Sequence, residues 1–313
     1  YCSILFFGGL LLWLSGSLSA ALRGMGNMRF PATLMIVASF LQVILSGGFI
    51  LGWYGFPKFG VSGAAIATLI SSLLMVSIIL IKLFGKSVPA RLKRSQFILS
   101  KKLFSNIFEV AIPASASPLL TVGTILVLTG LVGTFGTEAL AGYGIGSRVE
   151  FLMIPLIFGI GTAMTSIVGA NIGANNIERA ETVGIYGGST AGIVSIFIGL
   201  TLALFPDLWI QYFTNDPKAF EVTKTYIQLV GPFYIFQGVG LSLYFASQGA
   251  NAMKWPTIAT VARFLIASIG GSVSVYWLGL GIESIFLSSS MAMMIFGVTI
   301  FVSIKRGAWR KAS

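Results

Sequence analysis

Apolar runs of about twenty residues, punctuated by short segments rich in glycine, proline or charge, recur nine times along the chain. At helical rise, ~20 residues cross the ~30 Å hydrocarbon core of a bilayer, so each run predicts a transmembrane helix. The expected spans cover about Ser3 to Leu22, Pro31 to Gly52, Gly63 to Ile81, Ile107 to Gly133, Leu140 to Ala174, Thr182 to Phe205, Lys224 to Ala246, Pro256 to Leu278 and Ile282 to Ile304. The fold class is therefore an all-α integral membrane protein with nine transmembrane helices. Pro113, Pro118, Pro155 and Pro232 fall inside spans. There they remove helical hydrogen bonds, which is tolerated where neighbouring helices or a cavity satisfy the freed carbonyls. Gly184, Gly188 and Gly192 form a four-residue stripe that predicts close helix packing.

The pattern repeats. ALRGMGNMRFP, with Gly24 and Pro31, returns as ASQGANAMKWP, with Gly249 and Pro256, both pairs 225 residues apart. Tyr1 and Tyr226, Ser17 and Ser242, Ala21 and Ala246, and Met28 and Met253 match at the same offset, and GVSGAAIATLISS resembles GLGIESIFLSSS slightly out of step. The unit is six helices, present once complete and once as its last three. Residues 1–84 then form the second half of an N-terminal lobe, 85–106 a basic linker, 107–304 a complete six-helix C-terminal lobe and 305–313 a basic tail. An even-numbered unit gives two lobes oriented alike, the arrangement in which a substrate is held between rocking bundles. Because Tyr1 lies inside an apolar run, three further helices are expected upstream.

Composition removes the soluble classes. Hydrophobic residues make up 56% of the chain and charged residues 9%, with a mean hydropathy of +0.92, which would leave a water-soluble domain exposing a large apolar surface. The net charge of +11 does not indicate nucleic acid. Fifteen Lys and Arg lie in the loops of one side and only Lys58, Lys218 and Lys224 in those of the other, the asymmetry of the positive-inside rule. The linker and C-terminus are thus expected on the cytoplasmic side of the plasma or inner membrane. A single cysteine, Cys2, excludes an internal disulfide framework, and the absence of histidine removes the commonest general base and metal ligand.

The candidate chemistry centres on the fifth span. Arg148 and Glu150 lie about ten residues, ~15 Å, from its start, near mid-membrane. A charge there costs at least ~2.5 kcal/mol, so it faces a partner or a watery cavity. Residues two apart point to different helix faces, which disfavours a direct Arg148–Glu150 pair. Glu150 has two readings, a structural carboxylate paired with another donor, or a coupling site that exchanges a proton or binds Na⁺ or a cationic substrate; the expense of an intramembrane acid favours the second. Arg263 in span eight pairs across the bundle or snorkels. Gln237 is a hydrogen-bonding candidate, and Tyr143 sits in a GYGIG run expected to thin the helix near Glu150. Glu109 reads as interfacial. Three soluble-enzyme motifs nearly occur. Phe84-Gly85-Lys86-Ser87 lacks the earlier glycine of a phosphate-binding loop, the GYGIG run follows no strand, and Gly60-Val61-Ser62-Gly63 has no histidine to activate its serine. No catalytic residue is assigned.

In several motifs the chain resembles the multidrug and toxic compound extrusion (MATE) transporters: Ala21-Leu22-Arg23-Gly24 with Gly26, Asn27 and Pro31; Gly60-Val61 followed by Gly63-Ala64-Ala65-Ile66-Ala67-Thr68; Ile112-Pro113-Ala114; and Val168-Gly169, Asn171, Gly173-Ala174 with Arg179-Ala180. The resemblance implies a twelve-helix, two-lobe (6+6) antiporter lacking its first three helices here. It implies export of drugs or other amphipathic, mainly cationic organic compounds by alternating access, with H⁺ or Na⁺ as coupling ion and no other cofactor. It further implies the bilayer as surroundings and a monomeric state. Thr121 and Gln237 stand where some branches of the family carry acids. The candidate site is therefore Glu150, Arg148, Gln237, Thr121, Tyr143 and Arg263, with Na⁺ a candidate ligand near Glu150. Two other functions compete. A lipid-linked oligosaccharide flippase of related fold calls for a strongly cationic cavity, against which only Arg148 and Arg263 lie within spans; an intramembrane enzyme lacks paired acids and histidine.

Overall fold

The computed structural model describes residues 1–85 and 100–310, apart from the side chain at position 54. Most of the expected linker, 85–106, and residues 311–313 of the expected tail lie outside the described residues. The chain divides into two compact units, Tyr1–Leu99 and Ser100–Ser313. The described secondary structure of both is helical.

In the first unit, α1 (Cys2–Phe7), α2 (Gly9–Gly24), α3 (Arg29–Leu51) and α4 (Val61–Phe84) follow one another, with α4 packed on both α2 and α3. Leu22, Met75, Ile79 and Leu83 make its small core. Of the GVSG segment only Gly60, with φ of 58°, lies in a turn; Val61, Ser62 and Gly63 open α4, where a Cβ on Gly63 would lie 2.6 Å from the Phe49 carbonyl, so these glycines serve the entry into the helix.

The second unit comprises α5 (Lys101–Gly133), α6 (Thr137–Gly173), α7 (Ile177–Leu204), a short α8 (Asp207–Ile210), α9 (Pro217–Val230), α10 (Tyr234–Gly249), α11 (Lys254–Leu265), α12 (Gly271–Tyr276) and α13 (Ile282–Lys305). A π-helical segment, Ile266–Gly270, joins α11 to α12. The central helix α10 packs against α6, α7 and α13. The glycine stripe of α7 does the packing its spacing predicts: Gly184 admits the Trp309 ring, Gly188 the Leu243 side chain and Gly192 the side chains of Val239 and Ile235. Past α13 the chain folds back, burying Trp309, whose indole N–H donates to Ser247 Oγ (3.2 Å), while Arg310 makes a bidentate pair with Glu181 of α7.

Eight helices among the described residues are long and apolar enough to cross a membrane. The first expected span, Ser3 to Leu22, is instead the pair α1 and α2, interrupted at Gly8, where the Leu69 side chain occupies the space a Cβ would need. The repeat explains the interruption. Adding 225 maps the whole of α2 onto the whole of α10 and the first residue of α3 onto that of α11, and it places Gly8 on Phe233, inside the 3₁₀ turn Gly231–Phe233 between α9 and α10. Both copies therefore break the same helix at the same place, one with a glycine under a packed leucine, the other with Pro232.

Proline also explains a tie between α5 and α10. Pro118 has no N–H to give the carbonyl of Ala114 four residues earlier. The buried Tyr244 hydroxyl supplies that donor instead, at 2.9 Å. Tyr244→Phe is expected to cost about 1–3 kcal/mol, the penalty of an unsatisfied buried carbonyl. Most of that cost should vanish in a Pro118→Ala background, where the helix donor returns; thermal unfolding of the four variants in detergent checks this, and equal costs in both backgrounds would refute the account.

Candidate functional site

Within the second unit a cavity of about 330 Å³ opens between α5, α6, α9, α10, α11 and α13. Five of the six residues singled out from the sequence line it: Thr121, Tyr143, Glu150, Gln237 and Arg263. Arg148 does not. The two-residue spacing turns it to another face of α6, where it is exposed and its guanidinium lies 5.6 Å from the centre of the Phe213 ring. Arg148 therefore leaves the candidate site.

Among the described residues Glu150 is the only carboxylate lining the cavity, and its position follows from local sequence. It lies thirteen residues into the 37-residue α6, ~20 Å along its axis. One turn later Pro155 leaves the carbonyl of Phe151, another lining residue, without its helical donor, so polarity is concentrated at this level of the helix. The Tyr226 hydroxyl of α9 donates to Glu150 Oε1. The Tyr226 ring is fixed edge-on between Tyr143 (centroids 5.5 Å, 82°) and Phe286 (5.1 Å, 89°). It reaches the carboxylate because Gly146 has no side chain: a Cβ there would stand 2.4 Å from the ring. A turn earlier along α6, Gly142 likewise makes room for α9, and its carbonyl accepts from the Thr223 hydroxyl at 2.9 Å. The glycines of GYGIG thus bring α9 against α6 rather than merely thinning the helix.

Opposite the acid, the Arg263 guanidinium lies 5.4 Å from the centre of the Phe296 ring, a cation–π arrangement, and forms no ion pair with Glu150 within 4 Å. The cavity therefore presents one acid and one base unneutralised by direct contact. Gln237 is 5% exposed, and its Oε1 accepts no hydrogen bond. The Tyr234 hydroxyl is likewise buried, next to that of Tyr226. Buried polar atoms without partners are uncommon in folded proteins, and one in a cavity shared with a carboxylate marks a place built to receive something polar. Thr121 and Thr124 return their hydroxyl protons to the carbonyls of Ser117 and Leu120 at 2.8 and 2.9 Å, which leaves their lone pairs for the cavity. Ser147 and Ser289 add further oxygens. Glu109 is exposed on α5 and does not line the cavity.

Sequence reasoning missed Tyr226 as a functional group, registering it only as the repeat partner of Tyr1. Its one signal was a phenol in an apolar span, which cannot be linked to Glu150 without knowing that α9 crosses α6 at Gly146.

Membrane-crossing helices around a partly apolar cavity that holds an acid, a base and an unpaired amide oxygen define a multi-pass membrane protein of the transporter class. The family model MatE matches residues 113–273, just over half the chain and all six of the sequence-derived site positions. The chain is 28% identical to a probable multidrug resistance protein NorM of Thermotoga maritima, across 99% of this chain and 67% of that protein. It is 24% identical to an FAD transporter of Shewanella oneidensis, across 91% of this chain and 63% of the relative. The chain spans about two thirds of the length of such curated relatives. Its fold superimposes on a crystal structure of a MATE mutant with a TM-score of 0.90, at 24% identity over 99% of this chain and 70% of the other. A MOP superfamily transporter from Pyrococcus furiosus gives 0.88, at 24% identity over 97% and 68%. The chain belongs to the MatE family of transporters.

Proposed function

We propose that this chain carries the C-terminal six-helix lobe and half of the N-terminal lobe of an antiporter in the plasma or inner membrane, with the basic loops and C-terminus cytoplasmic. It exports drugs or other amphipathic organic compounds by alternating access, driven by an inward H⁺ or Na⁺ gradient, and works as a monomer. The observation that carries this reading is the Glu150 carboxylate, held by Tyr226 in a 330 Å³ cavity whose neighbouring Gln237 oxygen is unpaired. A carboxylate there exchanges a proton with the cavity or, with the oxygens of Gln237, Thr121 and Ser147, offers an all-oxygen set suited to a hard cation. The apolar walls, Ile125, Leu128, Phe151 and Met293 among them, take the body of an amphipathic substrate and its charge competes with the ion for Glu150. Ion and substrate then exclude one another from one site, which is the requirement of antiport.

Efflux of a fluorescent organic cation from proteoliposomes carrying the full-length protein, under imposed H⁺ or Na⁺ gradients, tests the proposal; transport indifferent to both gradients would sink it. Tyr226→Phe removes the donor to the carboxylate and keeps the ring contacts. A hydrogen bond to a charged group contributes roughly 1.5–3 kcal/mol, so coupled efflux is expected to fall by a factor of about 10 to 100, with a loss of thermal stability of no more than that size. An unchanged rate would show that the phenol only fills space.

A further inference from the structure

A second concavity lies at the C-terminal end of the same unit, outside the transport cavity. It is a groove of about 400 Å³ between the start of α11 and the end of α13, lined by Trp255, Val298, Thr299, Val302, Arg306 and Ala308 among others. Its apolar floor is open to the surroundings: Trp255 is 44% and Val298 43% exposed. From Val298 to Arg306 the groove runs along α13 for ~12 Å, apolar at one end and cationic at the other. Lys254 precedes Trp255 at this rim, and the Lys305 ammonium lies 4.9 Å from the centre of the Phe301 ring, its stem covering apolar surface while its charge stays outside. Among the described residues no carboxylate lines the groove. The ion pairs among the described residues are Lys224–Glu221 and Arg310–Glu181, so the Arg306 and Lys254 charges are not neutralised by either.

From this arrangement we infer that the groove is a binding site for an anionic phospholipid. The acyl chain lies along Val298, Thr299 and Val302, and the headgroup phosphate is held by Arg306, with Lys254 and Lys305 beside it. Four features of the groove converge on that occupant. Apolar length along α13 suits an acyl chain, whereas a soluble anion would use none of it. The guanidinium is a planar fork of donors matched to phosphate oxygens. An exposed tryptophan at a helix start fits the headgroup level, where its amphipathic ring is favoured. Basic pockets between helices at the membrane surface are where acidic headgroups bind.

Trp255 provides the readout. The protein is reconstituted in phosphatidylcholine vesicles containing a minor fraction of either phosphatidylglycerol or phosphatidylcholine with brominated acyl chains, which quench indole fluorescence on contact. The Trp255 contribution is obtained as the difference between wild type and Trp255→Phe, since the chain holds six tryptophans. Brominated phosphatidylglycerol is expected to quench that contribution with an apparent affinity about fivefold above brominated phosphatidylcholine. Arg306→Gln, an exposed position whose replacement leaves the fold intact, should erase the preference, and Thr299→Phe, which fills the groove, should weaken quenching by both lipids. Arg179→Gln, another exposed basic residue, should change nothing. Equal quenching by the two lipids in wild type overturns the proposal. So does an equal loss in Arg179→Gln and Arg306→Gln, the mark of diffuse surface attraction, or removal of the preference by excess inorganic phosphate, the mark of a free-anion site.

Discussion

Glu150→Gln is expected to reduce gradient-driven efflux to the level of protein-free vesicles while the protein remains folded. The substitution keeps the shape of the side chain and an oxygen able to accept the Tyr226 hydroxyl, so the contacts among Tyr226, Tyr143 and Phe286 survive. What disappears is the one negative charge that the described residues bring to the cavity lining. An amide neither exchanges a proton with the cavity nor offers a cation full Coulomb attraction, and at low effective dielectric that attraction is several-fold stronger than in water. The Arg263 charge is then left facing a neutral partner. Efflux measured beside thermal unfolding separates the outcomes. Lost transport with an unshifted unfolding temperature assigns coupling to Glu150, and the gradient that drives the wild type names the ion. Transport at the wild-type rate makes Glu150 a structural acid and moves coupling elsewhere in the protein.

The second large effect is expected at Gly249, the last residue of α10. A Cβ there would lie 2.2 Å from the Thr165 carbonyl oxygen and 3.1 Å from its Cα, contacts with backbone of α6 that no rotamer change relieves. At this crossing the Thr165 hydroxyl donates to the Phe245 carbonyl at 2.8 Å, and a Cβ on Gly169 would lie 3.2 Å from the Gly249 carbonyl oxygen. Gly249→Ala must push the helices apart, and overpacking at the severe end costs about 3 kcal/mol. The repeat supplies the control. Gly24 ends α2 as Gly249 ends α10, yet a Cβ on Gly24 meets nothing within 4 Å. Gly24→Ala is expected to be neutral or to stabilise by up to about 1 kcal/mol through helix propensity. Thermal unfolding of the two variants of this chain decides it; similar losses at both positions would mean that the glycines are needed for conformation and not for room.

The helices are readable from sequence because their period and length are local. The repeat is readable because it preserves residue types at a fixed offset, and it foretells that Gly24 and Gly249, and Pro31 and Pro256, occupy equivalent places. In the structure each glycine closes its helix and each proline is the third residue of the next. Gly8 is opaque because the side chain packed against it, Leu69, lies sixty-one residues away. The same holds for the site. Glu150 stands out by its depth alone, and Gln237 and Arg263 by polarity in an apolar run. Which of these meet depends on helix crossings set by glycines such as Gly146, whose partner Tyr226 is eighty residues distant. Arg148 enters the candidate set, like Glu150, as a charge deep in an apolar span, though the two-residue spacing already turns it to another face of α6.

The π-helical segment Ile266–Gly270 bears on how relatives are aligned. Val261, Leu265, Ile269 and Val273 are all exposed, at uniform intervals of four. Three such steps make twelve residues, where three turns of α-helix need about 10.8. The wider turn absorbs the surplus and keeps one face outward on both sides of it. Arg263, Ala267 and Gly271 are thereby kept on the opposite, inward side: the first two line the cavity, and a Cβ on Gly271 would lie 3.0 Å from Leu131. A relative without the wide turn would be one residue shorter inside a helix, where alignments do not ordinarily place a gap. Aligned without that gap, every position on one side of the segment would be matched to a neighbour ~100° around the helix, and a lining residue would be read as a lipid-facing one.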